Sequence, residues 1–186
     1  MAFDDRAASP SRNLYAPVMG RTYVTFDDTK TITVLDQSRC DTLNAWVDGI
    51  IPGNEDWPAA REVNAVAYID ATIRKAPELR LSLLAGIDTA ELLAAREYGS
   101  LFSALDAEQR RSVMQKLETQ DAIDAFSVIL ELTYEAYYRA PAVQDVVKKR
   151  TGFNIKNTVQ GVPLKPFDTT RLALVAQRPD HYRRVS

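Results

Sequence analysis

Read as a pattern of apolar and polar positions, the chain changes character at Asp36. Before it, Pro10, Pro17 and Gly20 stand among polar residues with no helical period, so residues 1–34 read as an extended arm outside the core. Within that arm, Tyr23 to Phe26, the Asp27-Asp28 pair and Thr31 to Val34 predict a short hairpin. From Asp36 onward the period is helical. Cys40, Leu43, Val47, Ile50 and Ile51 share one face, with Asp36 as the cap and Pro52 as the stop. A turn at Gly53 to Asp56 leads to Trp57-Pro58, where a second helix opens, because proline's missing donor would be unpaired in a first turn anyway. Its stripe, from Val63 through Val66, Tyr68 and Ile69 to Ile73, ends before Pro77.

The third segment runs from Pro77 through Leu79, Leu83, Leu84 and Ile87 to Leu92, Leu93 and Tyr98-Gly99. Gly86 and Asp88-Thr89 are candidate interruptions, since glycine costs about 1 kcal/mol relative to alanine inside a helix. Asp106 then caps a fourth helix, Ala107 to Leu117, with Val113, Met114 and Leu117 on one face. Residues Asp121 to Arg139 carry the broadest stripe, Phe126, Ile129, Leu130, Thr133, Tyr134 and Tyr137, and predict the central helix. After Pro141 a short helix through Val143, Val146 and Val147 closes on Lys148-Lys149-Arg150, which complement the helix dipole, and Gly152 stops it. Pro163, Pro166 and Pro179 make the remainder mostly irregular, with a turn of helix near Leu172 to Ala176. The expectation is an all-α protein: a compact domain of about five to six helices over residues 35–153, with an extended N-terminal arm, 1–34, and an extended C-terminal arm, 154–186.

Composition narrows the function. At 186 residues the chain is long enough for one domain with its own core. Lys plus Arg number 23 and Asp plus Glu 25, so the net charge of -2 provides no overall field for binding nucleic acid. No run of 18 apolar residues occurs, which argues against direct membrane insertion by an ordinary spanning helix. The lone Cys40 forms no internal disulfide, and Met1 to Ser11 resembles no signal peptide, so a cytoplasmic location is expected.

Little in the chain suggests an active site. One cysteine and one histidine, Cys40 and His181, cannot make a zinc or iron-sulfur cluster, and Cys40 reads as a small buried hydrophobe. The seven glycines are dispersed and form no phosphate-binding loop. Carboxylate pairs occur at Asp27-Asp28, Glu55-Asp56 and Glu131 with Glu135; most such charges are solvated faces or turn residues. Glu131 and Glu135, four apart on a helix, repel unless a cation such as Arg139 relieves them. No catalytic, cofactor-binding or metal residue is assigned. Among the aromatics, core packing accounts for Tyr134 and its stripe, whereas Tyr138 and one of Trp46 and Trp57 are candidates for an outward face.

The stretch Asp48-Gly49-Ile50-Ile51-Pro52-Gly53-Asn54-Glu55, with Ala60, Val63, Val66 and Tyr68-Ile69-Asp70 after it, resembles the small subunit family of gluconate 2-dehydrogenase, subunit 3. Tyr98 to Leu105, Glu108-Gln109-Arg110, Phe126 and Leu132 to Tyr138 extend the resemblance, which spans about residues 36–153. The motifs are short and mostly structural. Two details depart from the family's pattern: Gly49 stands where a basic residue usually follows the aspartate, and the late glycine-tryptophan element appears as Gly152-Phe153.

The resemblance implies a small helical subunit without a redox centre, accompanying a large FAD-dependent subunit of the glucose-methanol-choline type that oxidises sugars, glycosides, sugar acids or polyols. FAD would belong to that partner and no cofactor to this chain. Many family members begin with a twin-arginine export signal, absent here, so a periplasmic complex requires export with the partner or a signal already removed. In this reading the arms wrap the partner, and the interface candidates are Tyr15, Tyr23, Phe26, Trp57, Tyr138, Phe153 and Phe167. A stand-alone helical enzyme using carboxylates and tyrosines, and a scaffold unrelated to redox chemistry, remain open at this stage.

Overall fold

In the computed structural model, residues 23–154, 168–172 and 177 are described. Six α-helices and no strand occur among them: α1 Gln37–Ile50, α2 Ala65–Lys75, α3 Pro77–Tyr98, α4 Ala107–Lys116, α5 Ile123–Arg139 and α6 Pro141–Thr151. The helix signals act as their chemistry predicts. Asp36 accepts a hydrogen bond from the Arg39 N–H at 2.9 Å and starts α1. Asp106 accepts from the N–H groups of Glu108 and Gln109, both at 2.9 Å, while Gln109 accepts from the Asp106 N–H at 3.2 Å, a reciprocal cap on α4. Pro77 and Pro141 occupy the first turns of α3 and α6, and Gly99 and Gly152 end the same helices in the left-handed region, φ 63° and 74°.

α3 runs unbroken through Gly86 and Asp88-Thr89. The reason is packing: a Cβ on Gly86 would lie 2.4 Å from the Ala125 Cβ and 3.9 Å from the Trp46 ring. Glycine therefore lets α3 and α5 approach closely and does not break the helix. Trp46, fully buried, is the hub between them, with Phe102 at 6.1 Å and Phe126 at 5.9 Å, both tilted. α5 packs against α1, α2, α3 and α6, as its broad stripe predicts.

The second helix begins later than Trp57-Pro58 suggests. A 3-10 turn, Ala60–Val63, comes first, and Asn64 at φ 58° separates it from α2. α4 passes at Leu117 into a π turn, Leu117–Asp121, closed by the Ala122 N–H on the Leu117 carbonyl at 3.2 Å.

The expected hairpin at 23–34 is not formed. A 3-10 turn, Asp27–Thr29, takes its place, because Asp28 folds back to accept from the Thr25 N–H and hydroxyl, both at 2.7 Å. Nor does all of this stretch lie outside the core: Val24 and Leu35 are buried in it. The tie is Asp70, wholly buried on α2, whose carboxylate accepts from the N–H groups of Thr33, Val34 and Leu35 at 3.0, 2.8 and 2.9 Å. Three backbone donors replace the water that this charge loses on burial. Lys75 and Arg74 hold the other end through Asp28, and Lys75 with Thr25 keeps that carboxyl well below the usual carboxylate range.

The chain divides after Gly152. Of the segment beyond it, a 3-10 turn, Thr169–Leu172, is described, while positions 173–176 of the predicted turn lie outside the described residues.

Candidate functional site

The outward surface with the most distinctive chemistry is a groove at the C-terminal end of α1. It is built by backbone constraints. Gly53, at φ 74°, has no room for a side chain, since a Cβ would meet the Ala59 backbone nitrogen at 2.6 Å. Asn54 then accepts from the N–H groups of Asp56 and Trp57, at 2.9 and 3.1 Å, and its own N–H donates to the Trp57 carbonyl at 2.8 Å. The Tyr137 hydroxyl donates to the Pro58 carbonyl at 2.8 Å, and the Ala60 N–H to that of Ile51 at 3.0 Å. The loop is thus fixed against α5. Trp57 is left half-buried, with the Arg150 guanidinium 5.7 Å from its ring.

Opposite the loop, Tyr134 and Tyr138 lie one helical turn apart on α5. Their rings stack at 6.3 Å and 12°, and Tyr137 meets Tyr138 edge-on at 5.4 Å. Tyr137 is buried, whereas Tyr134 is 44% and Tyr138 54% exposed. The expectation that Tyr134 belongs to the core is therefore corrected. Its position sits at the margin of the apolar arc, where the loop at 50–54 walls a cleft instead of covering it. That cleft, 310 Å³, is lined by Ile51, Pro52, Trp57 and the three tyrosines.

Ile50, Pro52 and Tyr134 also line a second hollow of 750 Å³ between the end of α1, α4 and α5. Here Gly49 lies against the Met114 side chain of α4, whose sulfur is 2.3 Å from where a Cβ would stand. The floor is ionic. Asp48, with its side chain 14% exposed, pairs with Arg61 at 3.0 Å; burial pushes its carboxyl upward, and the neighbouring Arg61 and Arg110 oppose this. Arg110 donates to the Leu105 carbonyl at 2.9 Å, and its Nε is enclosed without a hydrogen-bond partner among the described residues. The two hollows adjoin at Ile50, Pro52 and Tyr134, the first lined by aromatic rings and the second carrying charged groups.

The carboxylate pair on α5 separates in role. Glu135 accepts from the Tyr68 hydroxyl at 2.5 Å, and burial, reinforced by Glu135, pushes the Tyr68 phenol up to about 12. Arg139 lies over the rings of Tyr68 and Phe26, at 4.8 and 5.6 Å, and donates to the Val24 carbonyl at 2.7 Å. These residues fasten the chain before α1 to α2 and α5. Glu131 instead has one carboxylate oxygen enclosed without a hydrogen-bond partner among the described residues, and burial raises its pKa. Cys40 is buried in the core and its thiol is pushed up by that burial, a setting for packing and not for nucleophilic attack. No group of three His, Cys, Asp or Glu able to hold a metal, and no helix long and apolar enough to cross a membrane, occurs among the described residues.

Of the interface candidates, Trp57 and Tyr138 both line the aromatic cleft. Tyr23, Phe26 and Phe153 are exposed elsewhere, at 76%, 63% and 51%, while Tyr15 and Phe167 lie outside the described residues. Sequence reasoning missed Tyr134 and the Asp48–Arg110 floor. The four-residue spacing of Tyr134 and Tyr138 was a visible signal for the first.

Neither a curated protein nor a solved structure matches the chain. A family model does: that of gluconate 2-dehydrogenase subunit 3 matches residues 37–155, from the first helix to just past the last. Asp48 to Asn54, Arg110, Tyr134 and Tyr138, which build the groove, all fall within that match. The helical fold and the extent of the match agree, and the chain belongs to the gluconate 2-dehydrogenase subunit 3 family, the small subunit of a dehydrogenase complex.

Proposed function

We propose that this protein is a non-catalytic small subunit that stabilises and assembles a FAD-dependent dehydrogenase or oxidase of the glucose-methanol-choline type, acting on a sugar, glycoside, sugar acid or polyol. The large subunit holds FAD and performs the oxidation; this chain binds no cofactor and offers a rigid docking surface. The observation that carries the reading is the aromatic cleft, in which two exposed stacked tyrosines face Trp57 inside the matched region. Tyrosine and tryptophan anchor interfaces because they bury a large apolar area with few rotors to immobilise and keep a polar tip for hydrogen bonding.

Affinity purification of the chain from its native source, with mass spectrometry and an absorption spectrum, tests this directly. A yellow complex with one large flavoprotein is expected. Tyr134→Ala combined with Tyr138→Ala should weaken that complex by roughly 2 kcal/mol or more, the usual size of a hot-spot loss. A colourless monomer without a partner would overturn the reading. We locate the complex in the cytoplasm, a reading supported by a single cysteine that is buried and unpaired; cell fractionation followed by immunodetection checks it.

A stand-alone enzyme is favoured by one feature, the enclosed carboxylate of Glu131 with its raised pKa. It requires turnover by the purified chain that Glu131→Gln abolishes without unfolding it.

A further inference from the structure

Charge is divided unevenly along the chain. Residues 1–145 carry 14 Lys and Arg against 23 Asp and Glu, whereas residues 146–186 carry nine against two. The basic excess begins at the last turn of α6, where Lys148, Lys149 and Arg150 are all exposed. Arg150 is engaged, paired with Asp56 and set over Trp57. Lys148 and Lys149 have no ion pair among the described residues. A cation here complements the helix dipole, yet that effect fades within one turn and accounts for none of the six further Lys and Arg after Gly152. The chain thus carries an acidic body and a basic end, of which Lys148 and Lys149 are open to solvent.

We infer that the exposed basic end of α6 docks on an acidic face of the catalytic subunit, an inference that rests on the dehydrogenase-subunit reading above. Charge segregation selects this occupant. Nucleic acid or an anionic bilayer presents an extended negative field to the whole molecule, and the acidic residues of 1–145 would be repelled by it. A folded protein can confine its acidic residues to the face that the basic end meets, which would spare the body that repulsion. The position is also suitable: the Arg150 contact joins the end of α6 to Trp57, at the rim of the aromatic cleft. Apolar anchoring and charge steering then act side by side on one partner, the first slowing dissociation and the second speeding encounter.

The test compares complexes formed with the wild-type chain and with Lys148→Gln/Lys149→Gln, alongside Arg80→Gln/Arg96→Gln, which removes the same charge from exposed positions on α3. Circular dichroism first verifies that all three chains are folded. The α6 variant should associate with the catalytic subunit about fivefold more slowly at low ionic strength and dissociate at lower NaCl. At about 0.5 M NaCl, where the Debye length is only a few ångströms, the difference should vanish. Equal behaviour of the α6 and α3 variants in an intact yellow complex overturns the docking surface and leaves the subunit reading standing. A colourless partner protein with the same sensitivity at α6 supports an acidic protein face while refuting the flavin partner. Retention of the chain by phosphatidylserine vesicles or duplex DNA, without any protein partner, overturns the inference.

Discussion

Individual side chains show how tightly the segment before α1 is tied down. Asp70 is the clearest case, since its buried carboxylate is satisfied by three backbone N–H groups of residues 33–35. Asp70→Asn keeps the shape but removes the charge and turns an amide N–H₂ toward donors. It should lower the unfolding free energy by about 3 kcal/mol, measured by urea titration at pH 7. Tyr68 provides a pH signature. Its folded-state pKa of about 12 stands above the unfolded value near 10. The folded protein keeps the phenolic proton where the unfolded chain has lost it, so this contribution to stability is complete below pH 10 and is lost as pH rises through 12. Urea titrations between pH 9 and 12 should show that decline, and Tyr68→Phe should flatten it while costing about 1.5 kcal/mol for the lost bond to Glu135. Glu131→Gln should act in the opposite sense, stabilising the fold at pH 7, because it removes a charge that burial disfavours. A urea midpoint at pH 7 no higher than wild type would contradict that cause.

Among the elements, α3 and α5 define the core by their distance of approach. Gly86 makes that distance possible, for its Cβ position is already occupied by the Ala125 methyl group. Gly86→Ala would gain about 1 kcal/mol of helix propensity and lose more to overpacking, a net cost near 2 kcal/mol. Adding Ala125→Gly should recover most of it, and thermal melts of the two single and one double variant check this coupling. The boundaries that sequence reading placed well are those with a local cause: the Asp36 and Asp106 caps, Pro77 and Pro141, and the closing Gly99 and Gly152. Those it misplaced have a tertiary one. The 3-10 turn at Ala60–Val63 and the break at Asn64 arise where the chain is pinned from both sides, by Tyr137 on Pro58 and by Asp48 on Arg61. Apolar periodicity carries no record of such contacts.

For the whole molecule, the division into arm and domain acquires an energetic test. Removing residues 1–22 leaves every described contact of the 23–35 segment in place. Removing 1–34 deletes Val24 from the core, the Asp28 bridges to Lys75 and Arg74, and two of the three donors to Asp70. The shorter deletion should leave the melting temperature within a few degrees of wild type, and the longer one should lower it by about 10 °C, the shift that roughly 3–5 kcal/mol produces in a domain of this size. Equal melting temperatures would show that the segment contributes nothing to the fold. Any weakening of the complex by the shorter deletion would then report on partner contacts alone.

Sequence by itself determined the all-α class, a count of about five to six helices, most of their ends and the family, since each rests on signals within a few residues of one another: period, cap, proline, glycine. Only the tertiary structure decided the rest. Tyr134 has the same local pattern as its buried neighbours, yet it faces outward because the loop held by Gly53 and Asn54 stops at the cleft wall. Val24, in a stretch without helical period, is buried where Arg139 and Lys75, both distant in sequence, bond the carbonyls of Val24 and its neighbour Tyr23. Periodicity reports which face of an element is apolar; what covers that face depends on contacts distant in sequence, which exist only once the chain has folded.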